Sequence, residues 1–284
     1  MNTYCFRWFF FMLIAFTLSA CSSNPTSETS DKSDDIPEVE KTEKTVESKA
    51  EELGETKGID RAVEEYDPHD RKHEKAFYVF AYRGLNMRET ADPRSTILQV
   101  VPFGAKVEIT EHPSRRDMFV DGYAGGMARV TVDGQEGYMF DGYLCRFPTP
   151  EKEMVPKDYV EHIKKAGSIA IYHHERLDDG GYIQNTEGVI VPTNSFDEAF
   201  LMAKVLFGIP DGLYLPPPSK KAETRIDNPD KDEFAWNDDL TVKRNKTGEI
   251  EIIHYSFRTE GYGLNVFIEK DSRGMKVAEM AIAD

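Results

Sequence analysis

The segment from Phe77 to Leu144 consists of short runs in which apolar and polar residues alternate. A period of two over four to six residues is the pattern of strands that are buried on one face and wet on the other. Turn residues separate the runs, and Asp133-Gly134 favours a two-residue hairpin because both central positions need a positive φ. The clearest runs are Leu85–Arg88, Ile97–Val101, Ala105–Ile109 and Ala128–Val132. Roughly five short strands with little room for a helix predict a small β-barrel.

Three motifs in this segment follow one another in the order and spacing of a known family. They are Leu85-Asn86-Met87-Arg88, the run Gly104 to Ile109, and the series Val130, Asp133-Gly134, Gly137-Tyr138-Met139 and Tyr143-Leu144. The segment resembles a bacterial SH3 (SH3b) domain. The resemblance implies an SH3-like barrel that binds cell-wall peptidoglycan or a partner protein. It is imperfect, because Met127 and Tyr138 stand where the family has tryptophan, and the loop from His112 to Gly126 is longer than usual.

The barrel is expected to span residues 76–147, followed by an α+β domain over residues 148–284 that resembles no family we recognise. Phe147–Pro150 has prolines at alternate positions, which favours an extended linker. The clearest helix begins at Ser195, which forms a capping-box pattern with Glu198, and it ends before Gly208-Ile209-Pro210. Four alternating runs then predict an antiparallel meander packed on this one helix. These runs are Leu240–Arg244, Ile250–Phe257, Leu264–Glu269 and Met275–Ile282. The predicted class is therefore mainly β, with one α+β domain.

Weaker patterns lie between the barrel and the meander. Pro156–Ala166 is predicted to be a short helix or a turn, and Ser168–Tyr172 and Gly188–Pro192 are predicted strands. The stretch from Tyr214 to Glu233 contains three consecutive prolines and alternating charges, so a surface loop is expected there.

The first twenty residues have the pattern of an export signal. Arg7 precedes the apolar run Trp8–Phe16, which is shorter than a stable membrane span. The run ends in Leu18-Ser19-Ala20-Cys21, which resembles the bacterial lipoprotein box, so Cys21 is the predicted lipidation site. The alternative is a plain secretory signal with a chance cysteine. Ser22, in place of an inner-membrane retention aspartate, implies the outer membrane, with the protein on its periplasmic side or at the cell surface.

Residues 21–75 are predicted to be a disordered acidic tether. They lack apolar periodicity, are dense in Ser, Thr, Glu, Asp and Lys, and hold about half of the chain's formal charge of -16. An acidic chain with a pI near 4.9 repels phosphate backbones, which argues against a nucleic-acid partner. With Cys5 in the signal and Cys21 lipidated, Cys145 would have no intramolecular disulfide partner.

Groups that could perform chemistry are few. Cys145 follows a barrel strand and is more simply a small buried residue than a nucleophile. His173-His174-Glu175 places adjacent imidazoles on opposite faces of a strand, which disfavours a shared metal ion. His254 is expected to be a partly exposed strand residue. Acidic pairs such as Asp178-Asp179 and Asp238-Asp239 are most simply solvated turns. We therefore predict no catalytic constellation, no cofactor and no metal.

The barrel's tyrosines are the better candidates for function, because an aromatic ring can stack on a sugar or a peptide. The predicted ligand-binding residues are Tyr82, Tyr123 and Tyr138. Tyr82 and Tyr123 are expected to be exposed, whereas core packing is the simpler role for Tyr138 and Tyr143.

The sequence thus predicts a lipid-anchored envelope protein whose barrel binds peptidoglycan or an envelope partner protein. One alternative is an envelope enzyme with its active site in the C-terminal domain. Another is a structural lipoprotein in which the barrel is a spacer and the C-terminal domain mediates interactions.

Overall fold

The computed structural model describes residues 74–179 and 182–283. The predicted signal, the lipidation site Cys21 and nearly all of the predicted tether lie outside these residues. Among the described residues, no helix has the length and apolar character needed to cross a membrane.

The first sheet is antiparallel and has seven strands in the order β3-β2-β8-β7-β4-β1-β9. A separate hairpin of strands β5 and β6 lies within the loop that is longer than usual for the family. The strands are β1 (Ala76–Val79), β2 (Leu85–Arg88), β3 (Ile97–Val101), β4 (Lys106–Glu111), β5 (Met118–Val120), β6 (Tyr123–Gly125), β7 (Met127–Val132), β8 (Gln135–Phe140) and β9 (Leu144–Cys145). A short 3-10 turn, Asp141–Tyr143, joins β8 to β9. The predicted strand-rich region is confirmed, with more strands than the five expected.

Strands β1, β2, β4 and β7 of this sheet bury every second side chain. In β4 the buried residues are Val107 and Ile109, and in β7 they are Ala128, Val130 and Val132. Together with residues of β1, β2, β8 and β9 they form a small hydrophobic core made entirely of residues 77–144. The predicted alternation therefore corresponds to real burial in these strands, but not in β3, where Ile97, Leu98 and Val100 are exposed and only Val101 is buried.

The second sheet is also antiparallel and seven-stranded, in the order β10-β11-β16-β15-β14-β13-β12. Its strands are β10 (Ile171–Asp179), β11 (Tyr182–Val191), β12 (Glu223–Asp227), β13 (Asn237–Arg244), β14 (Ile250–Thr259), β15 (Tyr262–Asp271) and β16 (Gly274–Ala283). Helix α1 (Pro156–Lys165) packs against β10 and β11, and helix α2 (Phe196–Leu206) packs against β15 and β16. The predicted meander is confirmed as β13 to β16. Two helices pack on this sheet, whereas the sequence predicted only one covering helix.

Two further differences concern local structure. The segment predicted as a surface loop contains the edge strand β12, whose only large apolar residue is Ile226 and whose period-two signal is therefore weak.

The predicted capping box at α2 is only half formed. Ser195 Oγ accepts a hydrogen bond from the Glu198 backbone N–H as expected, but the Glu198 side chain bonds to Arg146.

The barrel and the second sheet share a hydrophobic core. Barrel residues Phe80, Tyr123, Phe140 and Phe147 belong to the same buried cluster as side chains of α1, α2 and the meander. The segment predicted to be a linker is largely buried, and its Pro148 carbonyl accepts a 2.7 Å hydrogen bond from the Tyr159 hydroxyl.

A buried ion pair reinforces this junction. Arg146, just after β9, contacts Glu198 of α2 at 2.6 Å, and Thr193 donates a hydrogen bond to the same carboxylate. Both charged side chains are almost completely buried. Since a buried charge is tolerated only when it is paired and hydrogen-bonded, this junction is a specific contact between the two sheets.

Candidate functional site

A cleft of about 470 Å³ lies where the barrel meets helix α2. The barrel contributes the loop after β1, strand β2 and the β5–β6 hairpin. Helix α2 and the loop that follows it form the opposite wall. Six aromatic residues line the cleft: Phe80, Tyr82, Tyr123, Phe140, Tyr143 and Tyr214. A concave, mostly apolar site with a few polar groups is the usual form of a binding pocket.

Tyr82 is the exposed aromatic residue of the barrel wall. Its ring stacks on Phe103 with centroids 4.9 Å apart, while 46% of the residue remains accessible. The stacking fixes the ring without covering its other face. Partial burial and the nearby Asp211 carboxylate raise the pKa of Tyr82 to about 12, so the phenol is neutral at physiological pH. Tyr82 is exposed as expected, and its role in binding remains a prediction.

Tyr123 was predicted to be exposed, and this was wrong. Only 1% of the residue is accessible, because its ring packs in the shared core beside Phe200 of helix α2. Its ring lies 5.1 Å from that of Tyr143 and 6.3 Å from that of Phe200, centroid to centroid. Burial also raises the pKa of Tyr123 well above its ordinary value. Its hydroxyl is buried without a hydrogen-bond partner among the described residues. Tyr123 therefore supports the cleft wall from behind and offers a ligand little surface.

The other two tyrosines have different positions. Tyr143 lines the cleft, is half-buried, and donates a 2.7 Å hydrogen bond to Asp121 at the tip of the β5–β6 hairpin. Burial and that hydrogen bond raise the pKa of Tyr143. Tyr138 is half-buried between the buried Gly137 and Met139 of β8, and it does not line the cleft. The structure therefore brings together Tyr82, Tyr123 and Tyr143 but not Tyr138.

Lys204 is a cleft residue that the sequence reasoning missed. Its ammonium donates hydrogen bonds of 3.0 Å to the Asp211 and Leu213 carbonyls and lies 5.0 Å from the centroid of the Tyr214 ring. Burial lowers the pKa of Lys204. A signal was present in the sequence, because Lys204 follows Phe200 by four residues and so belongs to the apolar face of α2.

The charged residues of the cleft carry both signs. Arg83, Arg88 and Lys204 are basic, whereas Asp121 and Asp211 are acidic. Arg88 Nη1 donates a 2.6 Å hydrogen bond to the Ser95 carbonyl, which holds this side chain at the rim. The cleft can therefore contact a ligand that has both anionic and cationic groups.

The histidines and the cysteine lie elsewhere. Cys145 is completely buried in the shared core. In strand β10, His173 Nε2 lies 3.9 Å from a Glu175 carboxylate oxygen, and burial lowers the pKa of His173. His254 is half-buried, stacks on Phe267 and shares a 2.9 Å hydrogen bond with Asn265. Across residues 74–179 and 182–283, no group of three or more His, Cys, Asp or Glu residues is arranged to hold a metal ion.

The prediction that Asp238-Asp239 forms a solvated turn was wrong. Both residues lie in strand β13 and are buried. Asp238 accepts hydrogen bonds from Asn228 and Tyr255, and Asp239 accepts one from Arg225 at 2.9 Å. These partners compensate the burial of the carboxylates. The side chains of Asp178 and Asp179 lie outside the described part.

Comparison with known proteins identifies one segment. The sequence profile of the bacterial SH3 domain matches residues 83–144, which run from the loop after β1 to β9. No curated protein and no solved structure matches the chain. The matched segment contributes most of the barrel wall of the cleft, whereas Lys204, Asp211 and Tyr214 lie outside it. Residues 83–144 are thus similar to a bacterial SH3 domain.

Proposed function

We propose that the protein is a lipid-anchored envelope protein that binds peptidoglycan or an envelope partner protein in the cleft between its bacterial SH3 domain and helix α2. The observation that carries this proposal is the cleft itself, which is lined by five aromatic residues of the barrel and by Tyr214, next to the segment that matches the bacterial SH3 domain. Aromatic faces supply contact area at a small entropic cost, and phenol hydroxyls add hydrogen bonds.

The charges of the cleft favour a ligand with peptide character. Each wall carries both signs, with Arg83, Arg88 and Asp121 on the barrel wall and Lys204 and Asp211 on the opposite wall. Such walls suit a ligand that has both carboxylate and ammonium groups. Cell-wall peptides and protein segments both meet this requirement.

The lipid anchor is supported by the sequence around Cys21. One acyl chain holds a protein only marginally and several hold it durably, so a multiply acylated Cys21 would keep the chain on a membrane. A tether of about fifty residues has a root-mean-square reach of roughly 40 Å, which would let the barrel leave the lipid surface. The anchor fails as a proposal if Cys21→Ser protein stays in the membrane fraction after a high-salt wash.

Binding in the cleft can be tested with purified peptidoglycan in a pull-down. Tyr82→Ala should weaken binding about fivefold or more, because an exposed ring at a binding site contributes on the order of 1 kcal/mol. Phe119→Ala is the matched control, since Phe119 is similarly exposed at 44% but does not line the cleft. Both variants should keep the melting temperature of the parent protein.

The pull-down separates the proposal from its competitors. Equal retention of Tyr82→Ala and parent protein on peptidoglycan would exclude a wall ligand in the cleft. Cross-linking to envelope proteins that depends on Tyr82 would then identify a protein ligand, and no dependence in either assay would favour the barrel as a spacer.

A further inference from the structure

Three exposed aromatic residues lie near the β14–β15 turn, and none of them lines the cleft. Phe234 and Trp236 are 73% and 60% accessible, the highest values among the large hydrophobic residues of the described part, and Tyr262 is 45% accessible. We call Phe234, Trp236 and Tyr262 the aromatic patch. An exposed apolar patch rimmed by polar residues is a common sign of an interaction site.

The patch is held by backbone hydrogen bonds. Trp236 N–H donates to the Arg258 carbonyl at 2.7 Å, and Thr259 Oγ1 donates to the Phe234 carbonyl at 3.2 Å. Thr259 is also the register partner of Tyr262 across the β14–β15 hairpin. All three aromatic residues are therefore attached to one end of this hairpin.

The local turn explains why the rings face solvent. Asp232 Oδ1 accepts a 2.8 Å hydrogen bond from the Phe234 N–H, and the Asp232 carbonyl accepts one of 3.0 Å from the Ala235 N–H. Ala235 is buried, so its two neighbours point outward. The rings thus sit on a turn that is already ordered, which reduces the entropy lost when a partner binds.

The surroundings of the patch are mainly acidic. Exposed carboxylates belong to Asp230, Asp232, Glu233 and Glu260, all within the patch loop or the β14–β15 turn. The basic residues of the same segments are Lys231, which donates a 3.4 Å hydrogen bond to the Trp236 carbonyl, and the half-buried Arg258. Acidic groups beside aromatic faces attract ammonium and guanidinium groups, through cation–π contact and through charge-assisted hydrogen bonds.

We propose that the aromatic patch docks a basic, lysine- or arginine-containing segment of a partner protein. Charge complementarity selects this occupant, because the acidic rim repels anionic lipid headgroups. The site is separate from the cleft, since none of the three aromatic residues lines it. The protein would then have two binding surfaces, the cleft and the aromatic patch near the β14–β15 turn.

Trp236 provides a local reporter. The chain has two tryptophans, Trp8 and Trp236, so full-length protein carrying Trp8→Phe has Trp236 as its single indole. Hexa-arginine should change the emission of Trp236 in a saturable way, and the apparent Kd should rise with salt concentration because the contact is partly ionic. Hexa-glutamate should produce no change.

Substitutions inside and outside the aromatic patch test where hexa-arginine binds. Glu233→Lys and Phe234→Ala should each raise the Kd for hexa-arginine about tenfold, as expected when a contact near 1.4 kcal/mol is lost. Glu151→Lys makes the same charge change at an exposed site outside the patch and should alter the Kd less than twofold. Tyr82→Ala should leave the Kd unchanged, which separates this surface from the cleft.

Several results would overturn the proposal. These are an absence of saturable change with hexa-arginine, an equal loss with Glu151→Lys and Glu233→Lys, or the same emission change with chitohexaose. The last result would assign the patch to a glycan instead of a basic protein segment.

Discussion

Two hairpins of the barrel turn through the same dipeptide in the same conformation. Asp121-Gly122 joins β5 to β6 with φ values of 47° and 84°, and Asp133-Gly134 joins β7 to β8 with 50° and 81°. Both pairs have the positive φ values at the two central positions that Asp-Gly turns favour. The local chemistry of the two turns is therefore equivalent.

Their surroundings are opposite. A Cβ added at Gly134 would meet no atom within 4 Å, whereas one added at Gly122 would lie 2.5 Å from the Leu215 backbone nitrogen. Gly134 is needed only for its φ, but Gly122 also lets the chain after α2 approach the hairpin. The β7–β8 hairpin therefore belongs to the barrel alone, whereas the β5–β6 hairpin belongs to the junction with the second sheet.

We expect the largest loss of stability from a substitution that disrupts the junction without changing either hairpin. Glu198→Ala would leave Arg146 buried without its main partner, which typically costs about 3–5 kcal/mol. We expect a corresponding loss in the free energy of unfolding. Native-state hydrogen exchange should show a greater loss of protection at the Tyr123 amide than at the Gln135 amide.

Glu161→Ala is the control for this prediction. Glu161 lies on helix α1 in an exposed ion pair with Lys164, and such pairs contribute at most about 1 kcal/mol. If Glu161→Ala and Glu198→Ala lower the free energy of unfolding equally, or if both hairpins lose protection equally, the Arg146–Glu198 pair does not hold the β5–β6 hairpin against the second sheet.

The next prediction compares the two glycines directly. Gly134→Ala should cost about 1 kcal/mol, because alanine is strained at positive φ. Gly122→Ala adds a backbone clash to the same strain and should cost about 2–4 kcal/mol. Urea denaturation of both variants measures the difference.

The same pair of variants links the junction to the cleft. Since Val120, Asp121 and Tyr123 line the cleft, Gly122→Ala should also weaken peptidoglycan binding, while Gly134→Ala should not. Equal stability losses at the two glycines would mean that the hairpin does not press against Leu215 in solution.

The contrast also shows which parts of the fold the sequence could predict. The β7–β8 hairpin and the four meander strands were predicted because long alternating runs flank their turns. The β5–β6 hairpin was missed although it contains the same Asp-Gly dipeptide. Its strands have only three residues each, too few to establish a period of two.

The candidate site was predicted only in part. Tyr82 is exposed as expected because its neighbourhood is set by nearby residues of the barrel, chiefly Phe103. The burial of Tyr123 depends on Phe200, which is far away in the sequence, so no local pattern could indicate it. Lys204 was not predicted as a cleft residue for the same reason. Its place in the cleft depends on how α2 packs against the barrel, and no local sequence pattern indicates that packing.

The smallest expected effects concern two tyrosines at the junction whose hydroxyls differ. Tyr143 donates a hydrogen bond to Asp121, whereas the buried Tyr123 hydroxyl has no partner among the described residues. Tyr143→Phe should therefore destabilise the protein by about 1 kcal/mol, and Tyr123→Phe should stabilise it by up to about 1 kcal/mol. Both substitutions keep the ring, so packing is conserved and thermal melts report the hydroxyls alone. The double variant should show nearly additive effects if the hydroxyls are energetically independent. A destabilising Tyr123→Phe would reveal a buried water or another partner at that hydroxyl, and the β5–β6 hairpin would then be attached to α2 by polar contacts as well as by its rings.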